Sequence, residues 1–297
     1  MRRGCNGPII ILTSLASSDA DQQGETILEL LAVLPTEDPS LAPRFLVDAA
    51  VRAEELGYDG VRMPDHLLFP DGFSGELGGV YDPLVTLASI AAVTDRITLG
   101  TSVLILPLRN PFAVAKQAAT LAKLSANRFI LGVGVGWNEQ EFTATGATFR
   151  RRGHSTDEAI RLIKHLHAVG HGPFESDAYP FTTGVFAPTL DAPVPILIGG
   201  TSDAALRRAA RFADIWEAFN LETEEFEERV AHLRALTDRL IKVGLNLKWD
   251  SDSTPLDEFV DQVASWERAG AESLAVHFGI AESMLERMET LIHAVRW

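Results

Sequence analysis

RFILGVGVGWNEQEF, residues 128–142, decides the fold. Its first half is a short, continuous apolar run, which reads as a strand buried on both faces and so as part of a parallel sheet. Glycines at 132, 134 and 136 let backbone approach a ligand closely where the strand runs out. PILIGGTSD, residues 195–203, ends in the same way. Two glycine-rich strand ends in one chain point to one ligand held at the C-terminal rim of a parallel sheet.

Outward from these two stretches, strands alternate with helices. Strands are expected at 30–35, 58–64, 96–106, 128–135, 195–200, 213–219, 245–250 and 272–279. Helices are expected at 42–56, 82–94, 110–124, 155–169, 203–212, 223–243, 255–269 and 282–295. Asp82-Pro83 and Asn110-Pro111 each pair an N-cap side chain with a proline in the first turn. Ser155 and Glu158 fit a capping box. Residues 65–81 form a glycine-rich loop, and the Gly-, Pro- and aromatic-rich stretch 170–195 reads as an excursion over the barrel rim. Eight strand–helix units predict an α/β protein with a single (β/α)8 TIM barrel and rim insertions over residues 28–297. A doubly wound open sheet is the rival. Residues 1–27 lack a pattern continuing into the barrel and are expected to be a poorly ordered extension.

Composition narrows the function. The chain has 297 residues, 46% of them hydrophobic, which suits an ample core. A net charge of −15 argues against nucleic acid and against an anionic membrane surface, but not against a small anion gripped by backbone N–H groups. A single cysteine, Cys5, permits no internal disulfide and makes a cytoplasmic setting the simpler one. Residues 1–20 imitate a signal peptide weakly, with a short apolar core interrupted by Pro8. No apolar run approaches the roughly twenty residues of a membrane helix.

In a barrel the site collects where strands end. Four strand ends stand out: Arg62 to His66, Gly100 to Val103, Gly134 to Asn138, and Gly199 to Ser202. Asp65 and His66 either cap a turn or carry protons, and imidazole suits proton transfer near neutral pH. Trp137 is either core filler or the wall of an apolar substrate pocket. Gly199, Gly200 and Thr201 precede a helix, so backbone N–H groups, the helix dipole and a hydroxyl would make a phosphate site there; an ordinary strand–helix turn is the alternative. GVGVGW lacks the third glycine of a dinucleotide fingerprint. Arg150, Arg151 and Arg152 form either a solvated face paired with Asp157 and Glu158 or an anion contact. His165, His167 and His171 lie close together, but no HExxH pattern is present and no metal is expected.

AEELGYDGVRMPDH, ITLGTSVLILPLRNP, RFILGVGVGWNEQEF and PVPILIGGTSDAALRRAARFADIW together resemble the luciferase-like monooxygenase superfamily, and within it the coenzyme F420-dependent oxidoreductases. The resemblance covers residues 28 to the C-terminus. It implies a hydride transfer between the F420 deazaflavin ring and a small organic substrate, with Asp65 and His66 beside the ring as catalytic residues. It implies a non-prolyl cis peptide at Ser102–Val103 backing the ring. Cofactor contacts would come from Ser102, Val103, Gly134, Val135, Gly136 and Asn138, with Gly199, Gly200 and Thr201 on the phosphate and Trp137 on the substrate. The arginines at 150–152 would be candidates for the cofactor's polyglutamate tail. Some sugar-phosphate dehydrogenases of the group carry an acid near the position of Trp137, and its absence here speaks against that substrate. The resemblance also implies a homodimer. An FMN-dependent monooxygenase and a non-catalytic flavin-binding barrel are the rival functions. Specificity is expected from the loop containing residues 71–76 and from the 170–195 excursion.

Overall fold

The computed structural model describes residues 28–36, 40–69, 81–279 and 281–296. The expectations for residues 1–27 and 71–76 lie outside them. Among the described residues, nine strands run β1 Glu29–Val33, β2 Gly60–Met63, β3 Thr98–Thr101, β4 Leu104–Ile105, β5 Phe129–Gly134, β6 Ile196–Gly199, β7 Ile215–Phe219, β8 Lys242–Lys248 and β9 Ser273–His277. The helices are α1 Pro43–Leu56, α2 Pro83–Ala91, α3 Pro111–Leu124, α4 Glu139–Thr145, α5 Arg152–Ala168, α6 Asp203–Phe212, α7 Thr223–Leu236, α8 Leu256–Arg268 and α9 Ala281–Arg296. Every strand pairing is parallel, and β5 bonds both β3 and β4, which closes the sheet. The expected third strand is therefore one stave in two pieces, and the barrel has eight staves. The break falls at Ser102–Val103, whose peptide is cis.

Local chemistry sets the element ends. Asp82 and Asn110 cap α2 and α3, each accepting two backbone N–H groups ahead of a proline. The main core lies between sheet and helices, where Ala49, Ala53, Leu87, Ala118, Ile160 and Leu206 are fully buried. A separate small cluster, Leu31, Val33 and Ala275, fills part of the barrel interior.

Four expectations are corrected. The helix starting at Thr223 stops at Leu236, where Thr237 turns extended, and β8 begins at Lys242. Gly244 lies inside that strand, where a Cβ would sit 2.3 Å from Ser273 Oγ. The Ser155–Glu158 capping box does not exist, because α5 begins at Arg152 behind a 3-10 turn at Phe149–Arg151. A seven-residue helix, α4, follows the quoted strand where none was expected.

The 170–195 excursion lies against two helices. It follows a helix, and helix-to-strand connections leave from the end opposite the active face. It packs on the outside of α3 and α5: Phe181 meets Phe112 edge-on at 5.6 Å, Phe174 meets His165 at 4.9 Å, and Ser176 Oγ donates to Glu158 at 2.5 Å. Lys116 of α3 closes it by donating to the carbonyl of Ala187.

Candidate functional site

A cavity of about 530 Å³ opens where the strands end. β2 delivers Asp65 and His66 to it, and the stave break delivers Ser102 and Val103. β5 gives Gly134 through Trp137, and β6 gives Gly199 and Gly200. From the other side come Glu217, Asn246, Lys248 and His277, none of which sequence reasoning placed in the site.

The strand-end glycines make room for protein before they make room for a ligand. A Cβ on Gly134 would lie 2.5 Å from Val103 Cγ2, and one on Gly199 would lie 2.6 Å from Val103 Cγ1. Val103 is thus wedged between the two glycine strand ends. Gly136 sits at φ +75° and Gly200 at φ +117°, where side chains are rare, so these two turns depend on glycine.

His66 is largely buried, and its Nδ1 lies 3.1 Å from Glu141 Oε2. The other Glu141 oxygen accepts the N–H groups of Leu67 at 2.5 Å and Leu68 at 3.0 Å. Burial pushes the Glu141 carboxyl up, but the His66 hydrogen bond and the two N–H groups outweigh it, and the group is held below the usual carboxylate range. It is therefore ionised and accepts the Nδ1–H of His66, which in the neutral ring leaves Nε2 as the proton acceptor. Trp137 meets the His66 ring edge-on at 5.8 Å and is half exposed at the cavity mouth.

Asp65 is buried with both oxygens in use. Arg109 donates Nη2 at 2.5 Å and Nε at 3.1 Å, and the N–H of Ile105 adds a bond at 3.0 Å. The same guanidinium reaches Asp82 at 2.9 Å. Asn138 is buried as the N-cap of α4 and lines neither cavity: its Oδ1 accepts from Gln140 N, and its Nδ2 donates to Leu68 O at 3.4 Å.

A second pocket of about 240 Å³ adjoins the first, sharing Gly134, Val135, Gly199 and Gly200 with it. Its outer wall is the start of α6 and the start of α5, with Arg150, Arg152 and Arg208. Thr201 does not line it; the hydroxyl at this wall is Ser202, whose Oγ caps α6 by accepting from Ala205 N at 3.3 Å. The arginines at 150–152 do not pair with Asp157 and Glu158. Asp157 takes Arg208 and Arg211, and Glu158 takes Arg161. Arg152 Nε is buried without a hydrogen-bond partner. Arginine donors and the positive ends of two helices would suit an anion in this pocket.

The three histidines at 165, 167 and 171 are each spent on a backbone carbonyl, those of His171, Ala115 and Gly172 respectively. Among the described residues no three potential metal ligands gather, and no helix is long and apolar enough to cross a membrane.

Comparison with known proteins agrees with this geometry. The family model of luciferase-like monooxygenases matches residues 15–247. An uncharacterized protein of Mycobacterium tuberculosis is 32% identical over 266 residues, which are 85% of this chain and 91% of that protein. The F420-dependent glucose-6-phosphate dehydrogenase of Kineococcus radiotolerans is 38% identical over 177 residues, 58% of this chain and 51% of that enzyme. The chain therefore aligns with about half the length of that relative. Among solved structures, an F420-dependent secondary alcohol dehydrogenase with an F420-acetone adduct superposes with a TM-score of 0.76 at 16% identity, covering 91% of this chain and 99% of that one. The EDTA monooxygenase of Chelativorans sp. BNC1 gives 0.76 at 14% identity, covering 91% and 93%. At these identities the structural likenesses speak for the barrel alone. The family match, extending over most of the chain and over the strand ends that build the cavity, establishes that this protein belongs to the luciferase-like monooxygenase family and is an oxidoreductase on its (β/α)8 barrel.

Proposed function

We propose that the protein is a coenzyme F420-dependent oxidoreductase acting on a small organic substrate. The observation that carries this is the junction of the two cavities: an arginine-lined anion pocket at two helix starts opens, through the glycines of β5 and β6, into a larger and mainly apolar cavity holding His66. A ring with a phosphate-bearing side chain fits that shape. The unpartnered Arg152 Nε supports the fit, since a buried donor without an acceptor calls for one. The names of several relatives point to the same cofactor.

When bound, the deazaflavin supplies hydride donation or acceptance. The chain does the rest. Arg150, Arg152, Ser202 and the backbone at Gly199 and Gly200 would hold the phosphate. His66 Nε2, set by Glu141 behind it, would take the proton from a substrate hydroxyl or return one to a carbonyl. Asp65, expected beside His66 as a second catalytic residue, fits a positioning role, because its oxygens are spent on Arg109 and Ile105. Trp137 would wall the substrate at the mouth, and the apolar lining would keep water from the hydride path. We carry a homodimer into this reading, to be checked by light scattering.

The test is a fluorescence titration with F420 and FMN side by side. F420 should bind clearly tighter. Equal or reversed affinities would replace this assignment with an FMN-dependent monooxygenase.

A further inference from the structure

The barrel interior holds an arginine. Arg62 of β2 is 2% exposed, and the neighbouring Gly100 gives up its side chain to admit it. A Cβ on Gly100 would fall 2.8 Å from Arg62 Nη1 and 3.0 Å from its Cδ and Cζ. The guanidinium is poorly satisfied. Nη1 donates to Val61 O at 3.2 Å, and Nε has no hydrogen-bond partner. Its ion-pair partner is Glu217 Oε2, at 4.0 Å and 3% exposed.

Stability does not account for this arrangement. Replacing a buried ion pair with well-packed apolar residues is often neutral or favourable, so such pairs are weak contributors to folding. One end of this pair, however, forms cavity wall: Glu217 lines the larger cavity and Arg62 does not. Ser102 Oγ donates to Glu217 Oε1, and Asn246 Nδ2 donates to Ser102 Oγ at 3.0 Å. The hydroxyl hydrogen and an amide hydrogen are thus consumed inside the protein. Two acceptors remain at this floor, Glu217 Oε2 and Asn246 Oδ1, beside the second amide hydrogen of Asn246. Burial pushes the Glu217 carboxyl above its ordinary range, and the Arg62 charge works against that shift.

We infer that Glu217 is a ligand-binding residue that accepts a hydrogen bond from an N–H donor on the ring seated in the cavity, and that Arg62, 4.0 Å from its Oε2, is the residue that positions it. This rests on the cofactor reading above. Flavins and deazaflavins both carry such a donor, the imide N–H between two carbonyls, and no comparable N–H elsewhere on the tricycle in the oxidised form.

The experiment is a binding cycle between protein and ligand. The probes are a 5-deazaflavin 5′-phosphate and its analogue methylated on the imide nitrogen. The proteins are the wild type and Arg62→Met/Glu217→Leu, which removes both charges together. The wild type should prefer the parent by about tenfold or more, the size of a hydrogen bond to a charged group. In the double variant the preference should collapse toward one, with the thermal midpoint little changed. A preference that survives the double substitution would show that the methyl group is rejected by shape and would overturn the inference, as would a wild type indifferent to methylation. If the double variant does not fold, Glu217→Gln in the intact chain repeats the comparison, and an unchanged preference again overturns it. A wild type that binds neither probe would instead sink the cofactor reading.

Discussion

Two arcs of one cavity work by different means. The β5–β6 arc offers backbone: glycines at strand ends, helix starts, and arginines outside them. The β2–β7–β8 arc offers side chains locked together in the barrel interior: Arg62, Glu217, Ser102 and Asn246. A backbone site is written locally, because the turn, the glycine and the helix cap follow one another in the chain. A side-chain network is written across the chain: the Ser102–Glu217 and Ser102–Asn246 contacts span 115 and 144 residues. Altering the first arc should therefore disturb binding and packing together. Altering a single side chain elsewhere in the cavity should separate rate from binding.

The largest separation is expected at His66. His66→Ala should lower turnover by about 10²- to 10⁴-fold while F420 affinity stays within a few-fold, since acid–base help acts in the transition state. Turnover and cofactor titration on the same variant check this; equal losses in both would erase the contrast between the arcs.

A middle-sized effect tests the glycine arc. Gly134→Ala drives a methyl into Val103, and overpacking of this kind costs about 1–3 kcal/mol. Val103→Ala in the same chain should recover much of the loss. A double-mutant cycle on chemical unfolding measures the coupling; additive losses would mean that the valine is not the wedge.

The smallest effect concerns Glu141, which links the arcs from behind. Its carboxyl is held below the ordinary range in the folded protein, so the stability it confers is present above the unfolded-state pKa and is lost as pH falls through the lowered folded value. Thermal midpoints followed from neutral to acid pH should fall less steeply for Glu141→Gln than for the wild type. Parallel curves would remove Glu141 as the acid-sensitive tie.

The same contrast explains what was legible in the sequence. The alternation of strands and helices, the Asp82 and Asn110 caps, and the glycine strand ends could all be read locally. The short helix α4 was missed because seven residues carry too little periodicity, although Asn138 before it and the left-handed Gly146 after it were available signals. The expected helix 223–243 overran into β8; only the facing Ser273, outside any local window, shows why Gly244 belongs within that strand. Glu141 sat in plain view in the first stretch quoted, but its carboxylate gains meaning only from His66, 75 residues earlier. Arg62 and Glu217 were illegible for the same reason. His277 stands late in its strand with no motif beside it, yet it reaches the same cavity.

Arg109 ties Asp65 to Asp82 and so fastens together the two ends of the stretch that runs between β2 and α2. Tyr81 adds a second anchor by donating to Leu41 O at 2.5 Å. The barrel is thereby insulated from whatever is spliced between these fixed points. Doubling the length of a closed loop costs only about 0.6 kcal/mol when its ends are already held. A change in chain length between Phe69 and Tyr81 should therefore leave the scaffold beneath it almost untouched.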